Sequence, residues 1–222
     1  VGLILCFVPL ILVVALFTFA FKLKLLYQLI AVFLGLIAVL PISFIQYFLP
    51  ELPGIGFSPI LHALLKSLLL YGLIEELFKT LILIFLPHKN LTESHEARDF
   101  LQLAFVAGLA LGCFESVVYY FDHLQIANSR GATLLYGQIA VRIMTSDVIH
   151  MTCTGLCGLF IYSCRNTPRH TSFLVVAVLL HGIYDFFAGF ANNLRWFSVA
   201  VVLMAIIECR IKYSALTNPE KE

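Results

Sequence analysis

Apolar residues run through this chain in stretches of about twenty, with short polar breaks between them. A membrane-spanning helix needs about 20 mostly apolar residues, and seven stretches meet that length: 2–21, 25–49, 59–86, 98–121, 143–163, 170–190 and 193–212. Pro59 suits a first helical turn and Pro87 closes the third stretch. Only Lys22 and Lys24 divide the first two. The first stretch has no basic flank before it and no small-residue cleavage site after it, so it reads as a span and not a signal peptide. The mixed stretch 130–142 reads as an interfacial helix leading into the fifth span. The expected fold is all-α: a polytopic bundle of about seven transmembrane helices forming a single integral membrane domain over 1–222.

Composition strengthens this picture. Of 222 residues, 61% are hydrophobic and 12% charged, against about 25% charged in soluble domains. So apolar a chain cannot cover its surface in water. A net charge of +1 gives no reason to expect a nucleic-acid partner. The expected surroundings are the lipid bilayer. The six cysteines fit neither a disulfide framework nor a zinc ribbon. Cys153 and Cys157 share a helix face and read as small apolar packing.

Charge in the connections sets an expected orientation. One set of alternate segments holds Lys22, Lys24, Lys89, Arg98, Arg165, Arg169, Arg210, Lys212 and Lys221. The other holds Arg130 and Arg195, with Arg142 at an interface. Basic residues collect on the cytoplasmic side, which predicts an outer N-terminus and a cytoplasmic C-terminus.

Against this apolar background stand Glu75, Glu76, Lys79, Glu115, His150, His181 and Asp185. A charge near the bilayer centre costs about 2.5–3.5 kcal/mol, so these groups should face one another or a wet cavity. Glu75 and Lys79 are four apart and Glu76 and Lys79 three apart, so Lys79 can hold one carboxylate ionised. Gly72 leaves room beside Glu75. Gly108 and Gly112 let another backbone approach and bring Glu115 against a neighbour. His181 and Asp185 share a face, which lets Asp185 set the imidazole tautomer. At about 1.5 Å per residue, these groups fall in one layer near the midplane. His62, His88, His95, His123 and His170 read as loop or interface residues.

Glutamate and histidine at one depth suit water activation. A carboxylate in an apolar site can act as general base, and an imidazole can steady a developing oxyanion. The same groups could instead hold Zn²⁺, with His150, His181 and Glu115 as three ligands. A proton-coupled transporter is a further alternative, though no internal repeat is evident.

Four segments carry a family resemblance. "EELFK" at 75–79 reads as EExxK. "GLALGCFESVVYY" at 108–120 is glycine-rich and ends in Glu, a small polar residue and Tyr. "RIMTSDVIHMTCTG" at 142–155 has an Arg…His…TG pattern, and "HGIYDF" at 181–186 reads as HxxxD. In order and spacing they resemble the PrsW intramembrane proteases, relatives of the CAAX prenyl endopeptidase and bacteriocin-processing group. The resemblance implies a catalytic core at 59–190 and site-one cleavage of a single-span membrane protein, such as an anti-sigma factor, in a bacterial cytoplasmic membrane. It implies Glu75, Glu76, Glu115 and His181 as essential positions, with His150 and Asp185 supporting. The expected mechanism is glutamate-type and needs no cofactor. Glu75 or Glu76 is its base, Lys79 fixes the neighbour's ionisation, and Glu115 holds the water.

Overall fold

The computed structural model describes residues 2–48, 56, 58–87, 96–130, 132–166 and 171–217. Every element among them is helical. In order they are α1 (Gly2–Phe19), α2 (Leu25–Phe48), α3 (Pro59–Lys66), a π-helical segment (Ser67–Leu73), α4 (Ile74–Leu83), α5 (Glu96–Arg130), α6 (Ala132–Met144), α7 (Ser146–Asn166), α8 (Ser172–Ala188), a short 3₁₀ turn (Asn193–Trp196) and α9 (Phe197–Thr217). The expected third span is therefore one rod with a widened middle. Ser58 caps it by accepting from the Leu61 N–H, and Pro59 follows in the first turn.

Four helical stretches among the described residues are long and apolar enough to cross a membrane: Gly2–Phe19, Leu25–Phe48, Glu96–Leu124 and Leu135–Arg165. The last joins α6 to α7 across Thr145. The stretch expected to lie at the interface is α6, while α5 runs nine residues past the expected end at 121. Helix α5 thus carries His123, expected in a loop or at the interface, in its last turns. Lys89, Arg169, Lys221, His88, His95 and His170 lie outside the described residues.

Helix α5 is the axis of the bundle. It packs against α7, α2, α1 and α6, while α8 lies on the π segment, α9 and α7. The core joins Leu103, Ala104, Ala107 and Ala110 of α5 to Ile149, Cys153, Leu156 and Leu159 of α7 and Leu180 of α8. Outward faces are greasy instead: Ile4, Leu12, Phe33, Phe44, Leu81 and Phe85 are exposed, as befits side chains that meet lipid.

Small residues draw the polar helices together. A Cβ on Gly108 would strike the His150 carbonyl and Thr154, and one on Gly112 would crowd the Asp147 backbone and the His150 ring. On the other side a Cβ at Gly72 would lie 2.6 Å from the Val178 carbonyl oxygen and 2.9 Å from the Gly182 nitrogen. These obstacles are backbone and cannot swing aside. Gly72→Ala is expected to cost about 1–3 kcal/mol through overpacking and to lower the melting temperature in micelles. Gly137→Ala, with nothing within 4 Å of the new carbon, should stabilise α6 by about 0.5–1 kcal/mol.

Candidate active site

The two glycine crossings decide which side chains meet. The Gly72–Gly182 contact sets α8 against the rod that carries Glu75, Glu76 and Lys79. The Gly108 and Gly112 crossing sets Glu115 of α5 against His150 of α7. Glu76 and Lys79 are fully buried, and Glu75, His150 and His181 nearly so. Burial of five ionisable groups demands pairing, and pairing is what the structure supplies.

Glu76 is the hub. Its Oε1 accepts from Lys79 Nζ at 2.7 Å and from His181 Nδ1 at 2.7 Å. Its Oε2 accepts from the Cys157 thiol at 3.2 Å. Both oxygens of this carboxylate are engaged, with three donors between them. Glu75 is different. Gln46 of α2 donates to its Oε1 at 3.0 Å, but its buried Oε2 has no hydrogen-bond partner. That orphan oxygen lies 3.5 Å from Lys79 Nζ, 3.8 Å from His150 Nδ1 and 3.7 Å from His181 Nε2.

The imidazole tautomers follow from the donors around them. The Lys79 ammonium can only donate, so His150 Nδ1, at 2.9 Å, accepts. His150 Nε2 then carries the proton and donates to Glu115 Oε2 at 2.7 Å. His181 donates from Nδ1 to Glu76. Each ring thus spends one N–H on a carboxylate; the other nitrogen of His181 lies 3.7 Å from Glu75 Oε2, and that of His150, bonded to Lys79, lies 3.8 Å from the same oxygen. Ligand atoms of Glu75, His150 and His181 lie within 4.8 Å of one another. Two imidazoles and a carboxylate are a donor set suited to Zn²⁺. The carboxylates behind the imidazoles are the supports that metal-bound histidines usually have. The residues therefore fit a divalent cation, and the orphan Oε2 is the observation that says so. Glu75, not Glu115, joins the two histidines in this set.

Glu115 sits one layer out, with 34% of its side chain exposed. Its Oε2 accepts from His150, from Arg142 at 2.8 Å and from Ser146 at 3.3 Å. Its Oε1 is left without a partner among the described residues. Arg142, expected at the interface, lies against Glu115, with its guanidinium 3.8 Å from the Tyr119 ring centroid. Its Nε also donates to Ser116 Oγ, which in turn donates to the buried Asp147 at 3.0 Å. Asp185 stands apart from its expected task. Its Oδ2 is 3.5 Å from His181 Nε2, too far for a hydrogen bond, and Glu76 fixes the ring.

Reading the sequence missed Gln46, Ser116, Ser146, Asp147 and Cys157. Gln46 had a signal, since an amide inside an apolar span needs a partner. Cys157 had none: its spacing from Cys153 reads as packing, and both are indeed buried.

Comparison with known proteins adds the class. The profile described as PrsW family intramembrane metalloprotease matches residues 24–209. No curated protein and no solved structure matches the chain. The matched region is wider than the stretch that carries the motifs: it takes in α2, whose Gln46 reaches Glu75, and most of α9. A paired acid–imidazole cluster, buried among apolar helices and covered by a match over most of the chain, places the protein as an intramembrane protease: the chain belongs to the PrsW family of intramembrane metalloproteases.

Proposed function

We propose that this protease cleaves a single-span membrane protein near the outer face of a bacterial cytoplasmic membrane, with Glu75, His150 and His181 holding a divalent metal. An anti-sigma factor undergoing site-one cleavage is the substrate class implied by the motifs, whose kinship with the CAAX endopeptidases forms part of the same reading. Seven spans, an outer N-terminus and a cytoplasmic C-terminus complete the proposed topology. The observation that carries the reading is the convergence of His150 Nδ1 and His181 Nε2 on the partnerless Glu75 Oε2.

A bound Zn²⁺ would polarise the scissile carbonyl and supply a strong nucleophile at neutral pH. The chain's own groups divide the remaining work. Glu76 and Glu115 hold the two imidazoles in the tautomers that face Glu75. Glu115 Oε1, open and partnerless, takes the proton from the attacking water and returns it to the departing amine. Arg142 holds the other oxygen, Oε2, at 2.8 Å and so leaves Oε1 for this task. Asp185, about a quarter exposed, flanks the opening on the α8 side.

A second reading has its own support. Lys79 Nζ stands between the ligand atoms, 2.9 Å from His150 Nδ1 and 3.5 Å from Glu75 Oε2. An ammonium there suits a metal-free mechanism with Glu75 as the base. Elemental analysis of purified protein distinguishes the two. The metal reading expects stoichiometric zinc, lost together with cleavage on chelation and regained with added Zn²⁺. It also expects His150→Ala and His181→Ala to lower bound zinc as well as rate. Full cleavage after chelation, with no metal bound, overturns it in favour of the second.

A further inference from the structure

A cavity of about 520 Å³ opens beside the site, between the C-terminal half of α5, α6 and the turn before α9. Its size is in the range of ligand pockets, ~300–1,000 Å³. Arg142 lines it and also donates to Glu115, so one guanidinium separates the cavity from the proposed base. The rest of the polar lining includes Tyr119, His123, Gln138 and Arg195, and none of its described lining residues is acidic. The two guanidiniums differ. Arg142 is committed to Glu115. Arg195 stacks on Trp196 with its guanidinium 5.3 Å from the ring centroid and has no ion-pair partner among the described residues. A pocket with a spare cation and no anion of its own is complementary to a carboxylate.

We propose that this cavity is a substrate subsite that takes an acidic side chain from the segment flanking the substrate's span, with Arg195 as the residue that selects it. The proposal rests on the reading of a single-span substrate given above. The cavity sits at the end of the bundle that the charge bias assigns to the outer face. A substrate helix docked along the bundle would therefore present its extra-membrane flank there as the scissile bond reaches Glu115. Arg142 forms the inner wall and its charge is spent on Glu115. Selectivity between acidic and basic flanks therefore falls to Arg195.

The test uses the full chain in micelles and synthetic single-span peptides. Each peptide carries Glu, Gln or Lys at one flanking position, scanned in turn. For the Glu peptide at the matching position, kcat/KM is expected to exceed that of Gln about threefold, the scale of a partly exposed ion pair. Lys should fall about tenfold below Glu, and the spread should shrink in about 1 M salt. Arg195→Glu should reverse the order, with Lys peptides becoming the better substrates. If that variant does not fold, Arg195→Gln should remove the advantage of Glu over Gln. Binding of the same fluorescent peptides to Glu75→Gln protein reads the cavity without turnover. Charge-ranked binding with no cleavage by the wild type defeats the hydrolytic reading and leaves the subsite. Cleavage and binding that are blind to charge at every position defeat the subsite and leave the hydrolytic reading. A charge preference that persists unchanged in both Arg195 variants also overturns it.

Discussion

Glu75→Gln protein is expected to stay folded and fall silent, whereas Glu76→Gln protein is expected to come apart. The two side chains are neighbours in sequence, chemically identical and both buried. Only their partners differ. Glu76 Oε1 balances Lys79 and His181, both at 2.7 Å. Neutralising it leaves a fully buried ammonium with only the more distant Glu75 as counter-ion, and gives the His181 ring a neutral amide oxygen in place of its carboxylate. Breaking a buried pair in this way costs about 3–5 kcal/mol. Glu75 holds one bond, from Gln46, which an amide can still make by turning its oxygen toward the Gln46 donor. Its orphan Oε2 contributes little to stability but stands where both histidines point. Losing that ligand oxygen should lower kcat/KM by at least about a hundredfold, beyond the roughly 10–100-fold that loss of a group behind a metal ligand costs. Matched measurements of unfolding in micelles and of cleavage check the division. Equal loss of stability in the two variants would show that the glutamates do not divide the labour.

Lys79→Met should be nearly as damaging as Glu76→Gln, and the two together less damaging than either. Removing the ammonium leaves Glu76 as a buried anion that only His181 can compensate, again at about 3–5 kcal/mol. With both charges gone, Met and Gln fill the space, and the remaining cost is the more distant Lys79 contact that Glu75 loses, at 3.5 Å. A strongly negative interaction energy in the double-mutant cycle, well beyond the ~0.5 kcal/mol expected of independent sites, is the signature. Cleavage should not return in the double variant, because His181 still lacks the carboxylate that fixes its ring. Additive costs would mean that the 2.7 Å contact carries no coupling.

Much of this cluster is legible along the chain because ionisable groups inside apolar runs have few places to go. Spacing alone pairs Lys79 with Glu75 and Glu76, and Gly108 and Gly112 mark the face that meets a neighbour. What spacing does not carry is choice among partners. His181 and Asp185 share a helix face, yet the ring donates across the bundle to Glu76, because the α8 crossing at Gly72 brings that carboxylate closer than Asp185 can reach. Arg142 looks like an interfacial residue because α6 reads as a surface helix. In three dimensions α6 leads straight into α7, and the guanidinium falls beside Glu115. Glu115 looks like a ligand for the same reason that Glu75 looks like a base: a line of letters gives depth but not which oxygen is already taken.

The π-helical segment Ser67–Leu73 left no mark in the sequence, yet it determines how the third rod can be altered. A wide turn of this kind holds more residues per turn than an α-helix. Deleting a single residue within it would allow an unbroken α-helix with regular hydrogen bonds, a change that looks mild on paper. The tightened turn takes up most of the lost residue, so the glutamates on α4 would keep their heading. What changes is the wide turn itself, where Gly72 meets the Val178 carbonyl and the Gly182 backbone. Closing it should therefore loosen α8 from the rod while the Glu76–Lys79 pair, three residues apart on α4, stays in register.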